Sequence, residues 1–159
     1  MADAAGLLSW NLDELARALK ISPEAVRLYF TDGRRISFIL ERRPAQEVLS
    51  GTLAPSEGAG YDLLDPQGGK WEVRTISMGG PYFCPSYMVG SGRRFVEAGF
   101  LTKLEAIKGY ILADITAFPD VPFWIVTSDT VLDWWRRGLL GTSTKISRAG
   151  TLNLLRELP

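Results

Sequence analysis

The spacing of apolar residues changes partway along this chain, and that change limits the fold more than any other feature. Between Asn11 and about Leu49 the spacing is helical: Leu12, Leu15, Ala16 and Leu19 fall at i, i+3, i+4 and i+7, one face of a helix. Asn11 precedes that run and Glu14 follows it three residues on, the spacing of a capping box. Ser22-Pro23-Glu24 opens a second helix with a capping hydroxyl, a proline at the first helical position and an acid in the first turn. Val26, Tyr29 and Phe30 supply its apolar side, and Gly33 is placed to end it. A third helical pattern runs from Ile36 to about Leu49, with Pro44 predicting a kink or break. Residues 1–10 read as a loosely held lead-in, and residues 51–60 as a loop.

Beyond Gly60 the period becomes that of strands. Residues 61–64 and 70–78 read as two strands joined by the turn Asp65-Pro66-Gln67-Gly68-Gly69. Residues 79–94 are rich in Gly, Pro, Ser and Tyr and form a long irregular segment. Thr102 with Glu105 predicts a short helix through Ile107, and residues 110–115 and 123–126 are apolar runs suited to buried strands. Asp129 or Thr130 is placed to cap a helix through Arg137, and Ser147 a last one through Leu155. The expected fold is therefore mixed α/β: a helical segment over residues 1–35, then a small mixed sheet core flanked by helices over residues 36–159.

Composition narrows the chemistry. The chain has no histidine and one cysteine, Cys84. Hydrolysis by Ser-His-Asp or Cys-His, histidine-ligated zinc and thiolate metal cages are all excluded. Proton transfer and metal binding must run through Asp, Glu, Lys, Tyr or water. Cys84 itself reads as a buried thiol. The 18 basic and 18 acidic residues cancel, so any affinity for nucleic acid must come from segregated charge. Arg34, Arg35, Arg42 and Arg43 cluster, as do Arg93 with Arg94 and Arg136 with Arg137. With no apolar run of spanning length and no signal peptide, a soluble, cytoplasmic protein is expected.

Residues 15–26 resemble the helix-turn-helix of bacterial DNA-binding proteins. Small Ala16 permits a close helix crossing, Ile21 is placed to plug the corner and Val26 to close the core; Lys20 stands where that motif normally has glycine. The resemblance implies that residues 23–30 face the major groove, with Arg27 reading a base edge and Arg34 and Arg35 reaching phosphates. A plain helical hairpin that only packs, or one that serves a protein interface, has the same local pattern.

The most informative segment is 61–74. Glu72, Arg74 and Ile76 share one face of the second strand, and Trp71, Val73 and Thr75 the other. With the turn centred on Gln67, Asp62 lies across from Glu72. Cross-strand Cβ atoms sit roughly 4.5–5.5 Å apart, so two like charges are juxtaposed. A divalent cation bound by hard oxygens would relieve that opposition, with the Val73 carbonyl as a third ligand. An amphipathic hairpin carrying a surface Glu72–Arg74 pair is the plainer alternative.

Asp62 followed ten residues on by Glu72-x-basic, within a strand-turn-strand, resembles the hairpin of the PD-(D/E)xK nucleases, most closely that of small type II restriction endonucleases. The resemblance covers residues 36–129 by order of elements. It implies a mixed sheet flanked by helices, with Asp62 and Glu72 as ligands of Mg²⁺ (or Mn²⁺). Arg74 stands at the position of the family's lysine. Glu41, or else Glu47, matches a further acid on the preceding helix. Arginine stays protonated and cannot act as a general base; it can stabilise charge on the phosphate or orient a metal-bound water. Lys70, on the same face as Glu72, is a second candidate for the lysine role.

Gly90-Ser91-Gly92-Arg93-Arg94 is a basic loop that either grips DNA phosphates or is simply solvated. Trp134 and Trp135 read as packing residues. The leading expectation is a sequence-specific, magnesium-dependent endonuclease acting on double-stranded DNA as a homodimer, since cutting both strands takes two sites. The alternatives are a non-enzymatic helix-turn-helix regulator and an inactive nuclease relative.

Overall fold

The computed structural model describes residues 3–32 and 40–159; Gly33, Arg34, Arg35 and the start of the expected third helix lie outside the described residues. The chain is mixed α/β, and its strands form one six-stranded sheet. In chain order the strands are β1 (Gly6–Ser9), β2 (Thr52–Leu53), β3 (Leu63–Leu64), β4 (Lys70–Ile76), β5 (Gly109–Asp114) and β6 (Asp120–Thr127). The α-helices with both ends among the described residues are α1 (Leu12–Leu19), α2 (Pro23–Phe30), α3 (Glu97–Ala106), α4 (Ser128–Arg136) and α5 (Arg148–Arg156). In space the strands run β1-β6-β5-β4-β3-β2, all neighbours antiparallel except β4 and β5. That parallel pair requires a crossover, which α3 supplies.

Each face of the sheet buries its own core. On one, Val73, Ile111, Ala113, Val121 and Phe123 pack with Ala16, Val26 and Phe30 from α1 and α2 and with Leu40 and Ala45. On the other, Ile76, Tyr110, Leu112 and Val126 meet Phe100 and Leu104 of α3, Val131 and Trp134 of α4, and Leu154 and Leu155 of α5. The alternation along β4 is the one its sequence dictates, so Glu72 and Arg74 share the Ile76 face, which α3 covers. Cys84 and Trp134 are buried, as expected.

Three of the local signals for helix starts are realised. Asn11 accepts a hydrogen bond from Glu14 N, Ser22 from Ala25 N and Ser147 from Gly150 N. The stretch 40–48 is helical and widens at Pro44–Val48, where Leu49 N bonds to Pro44 O at 3.0 Å; proline's missing donor favours such a loosened turn.

Phe30 of α2 stacks on Phe118 at a 5.1 Å ring separation, so the α1–α2 pair packs on the main core. Four expectations are corrected. The lead-in is no loose end, because residues 6–9 form an edge strand on β6 and Arg43 Nη1 donates to the Ser9 carbonyl at 2.7 Å. Ile21 and Leu19 are about half exposed rather than plugging the corner. Helix α3 begins at Glu97, not Thr102, and Thr127, rather than Asp129 or Thr130, caps α4. No helix among the described residues is long and apolar enough to cross a membrane.

Candidate functional site

The β3–β4 register pairs Leu63 with Trp71 and Leu64 with Lys70. Continued by one residue, it sets Asp62 opposite Glu72, as the sequence predicts, and Asp62 N bonds to Trp71 O at 2.9 Å. Asp62 Oδ2 accepts from Val73 N at 2.8 Å, which fixes its carboxylate against the strand. Burial and then the Glu72 charge push the Asp62 carboxyl above the ordinary carboxylate range, while the Val73 N–H, Arg74 and Lys103 pull it back.

Two cations meet these acids. Arg74 Nη2 lies 2.6 Å from Glu72 Oε2 and Arg74 Nη1 3.8 Å from Asp62 Oδ2. Burial disfavours the Arg74 charge, but the two carboxylates outweigh it and hold its pKa above the ordinary value. Arg74 Nη1 also donates to the Val73 carbonyl at 3.1 Å, so the proposed third metal ligand already has a donor on it. The guanidinium lies over the Tyr82 ring at 5.0 Å, and its Nε is buried with no hydrogen-bond partner.

Lys103 is the second cation, and sequence reasoning missed it. Its ammonium bonds to Glu72 Oε1 and, at 2.9 Å, to the Gly60 carbonyl. Helical spacing puts Lys103 beside Phe100 and Leu104, both buried, which is the signal that identifies it as an inward-facing lysine once α3 is known to start at Glu97.

Asp62 and Arg74 open onto a cleft of about 830 Å³ that is also lined by Glu41, Tyr82 and Lys145, with Asp32 at the end of α2. Glu72, only 3% exposed, lies behind them. Of the two candidate helix acids, Glu41 is the one at the cleft. Glu47 is held by a bidentate pair with Arg43, at 2.7 and 2.8 Å. Lys70 is not at the acids; its ammonium lies 5.2 Å from the Tyr61 ring centroid. Among the described residues no three Asp, Glu or Cys side chains come together as a ready ligand set.

Of the DNA-contact candidates, the structure describes Arg27, Arg93 and Arg94. Arg27 Nη1 donates to the Phe118 carbonyl at 3.2 Å, turning the side chain toward the body of the protein. Arg27 stays exposed on α2, next to Leu28, 78% exposed, and Tyr29. Arg93 ties the Ser86 and Val89 carbonyls at 3.0 and 3.2 Å, while Arg94 is exposed on the same loop. Arg34 and Arg35 lie outside the described residues.

No family model, curated protein or solved structure matches this chain. The functional reading therefore stands on the site.

Proposed function

We propose that this chain is a divalent-metal-dependent DNA endonuclease of the restriction-endonuclease kind, using Mg²⁺ or Mn²⁺ on double-stranded DNA. The observation that carries this reading is the opposition of Asp62 and Glu72. A carboxylate pair facing across a hairpin, half sealed from water, needs positive charge beside it, which Arg74 and Lys103 supply here and a bound divalent ion would supply in the loaded site. Hard carboxylate oxygens are the donors a magnesium ion selects. The order of elements, hairpin then crossover helix then two strands, is in keeping with that family.

In this reading Asp62 and Glu72 hold the ion, which when bound supplies an acidified water and charge for the phosphate oxygens. Arg74 presents a fixed positive charge beside the acids, where it can stabilise negative charge gathering on the phosphate. It does not take the proton. Lys145, which also lines the cleft, offers a positive charge for a neighbouring phosphate. Two such sites, in a homodimer, would cut both strands.

A second reading, an inactive relative or DNA-binding regulator, is favoured by one observation: both carboxylates already have cations on them. Incubation with mixed-sequence plasmid, with and without magnesium or manganese, separates the two. Metal-dependent linear products are expected from the wild type. Asp62→Asn should cut about 100-fold less or worse, the scale lost when one preorganised electrostatic group is removed, while still shifting DNA in a gel. A wild-type protein that shifts DNA but never cuts it supports the regulator.

A further inference from the structure

Both oxygens of Glu72 are taken, one by Arg74 from the same strand and one by Lys103 from the crossover helix. We propose that Lys103 is the gate on metal occupancy: its ammonium holds the cation position beside the acid pair and must withdraw before a divalent ion can bind. This rests on reading Asp62 and Glu72 as a metal site.

The surroundings of the ammonium are those of a bound cation. It is held between the Gly60 carbonyl and the Glu72 carboxylate, both oxygen donors, and its side chain is only 11% exposed. Its charge acts on Asp62 as well. Two carboxylates and two cations are already neutral as a group. A divalent ion added to all four would raise the group from neutral to two positive charges in a half-buried place, and departure of one cation halves that excess.

Lys103 is the one free to go. Arg74 is anchored by Glu72, the Val73 carbonyl and the Tyr82 ring, and its planar fork loses those contacts together. Lys103 has a flexible four-carbon stem and a strongly hydrated head, so water compensates its departure well. Withdrawal of the ammonium frees Glu72 Oε1, the oxygen that Arg74 does not hold.

The test is Mn²⁺ binding to the intact protein at fixed near-neutral pH, by titration calorimetry, with circular dichroism to verify folding. Lys103→Met should bind Mn²⁺ about tenfold tighter than wild type or better. Lys103→Arg, which restores the charge, should bind as weakly as wild type, and Glu72→Gln should remove binding. Lys103→Gln keeps a donor for the Gly60 carbonyl without the charge, and serves if the methionine variant does not fold. Equal affinity in wild type and in the uncharged variants, still lost in Glu72→Gln, overturns the gate and leaves the metal site standing. Absence of binding in every variant overturns the metal site and the gate with it.

Discussion

Asp65 sits in the turn between β3 and β4, and each of its carboxylate oxygens accepts two hydrogen bonds. Oδ1 takes Gln67 N at 3.0 Å and Gly69 N at 2.7 Å; Oδ2 takes Trp71 Nε1 at 2.9 Å and Lys108 Nζ at 2.8 Å. A Cβ at Gly69 would come within 2.4 Å of that carboxylate, so the close approach needs glycine. The Lys108 ammonium, the Trp71 indole and the two backbone donors hold Asp65 well below the usual carboxylate range. Three residues away Asp62 is shifted the other way, by burial and a like charge. Since the folded pKa of Asp65 lies below its ordinary value of 3.8, its stabilisation is complete above that value and is lost as pH falls through the folded pKa. Asp65→Asn should therefore melt at lower temperature than wild type near neutral pH. The gap should narrow as the solution is acidified below about pH 4. A gap that stays constant over that range, followed by circular dichroism, would mean that the turn is held by shape rather than by charge.

At the scale of elements, α1 and α2 meet at Lys20, which adopts the left-handed conformation with φ 56° and ψ 40° and donates its N–H to the Ala16 and Arg17 carbonyls. A side chain there crowds the following carbonyl. Lys20→Gly should raise stability by about 0.5–1 kcal/mol, the left-handed cost less the extra unfolded-state freedom of glycine, as read by urea denaturation. An unchanged or lower midpoint would show that the Lys20 side chain contributes packing. The same elements show what the sequence discloses. Caps at Asn11, Ser22 and Ser147 were legible because a side chain bonds a backbone N–H three residues away, a local event. The β4 alternation was legible because two different cores press on its faces. Strand β1 was not, since four residues at a sheet edge carry too little periodicity and acquire their pairing from distant β6. The start of α3 was hidden for a related reason: Val96 occupies the cap position and makes no side-chain cap bond. That one missing signal concealed Lys103, and with it half of the counter-charge at the site. Leu19 and Ile21 followed the apolar pattern but stand exposed, since tertiary packing and not helical period decides which side is covered.

At the scale of the molecule, the first 32 residues share a core with the rest. Ala16, Val26 and Phe30 cover Phe118, Val121 and Phe123, and β1 extends the sheet. Removing residues 1–39 should uncover these side chains, each worth about 1.5–3 kcal/mol when buried. A fragment of residues 40–159 should then lack a cooperative thermal transition. Melting of that fragment close to the full-length temperature would instead make the N-terminal helices an appendage. The parallel pairing of β4 with β5 also has a consequence in time. The hairpin joins residues near one another in the chain, whereas Lys103 lies 31 residues beyond Glu72 and is delivered only as the crossover helix docks. Short-range closures precede long-range ones, because less chain freedom is surrendered in making them. Folding in that order would bring the two carboxylates face to face before Lys103 reaches them. In the metal-site reading, a divalent ion present during that interval would compete only with Arg74, and Mn²⁺ supplied during refolding should load more readily than Mn²⁺ added after folding is finished.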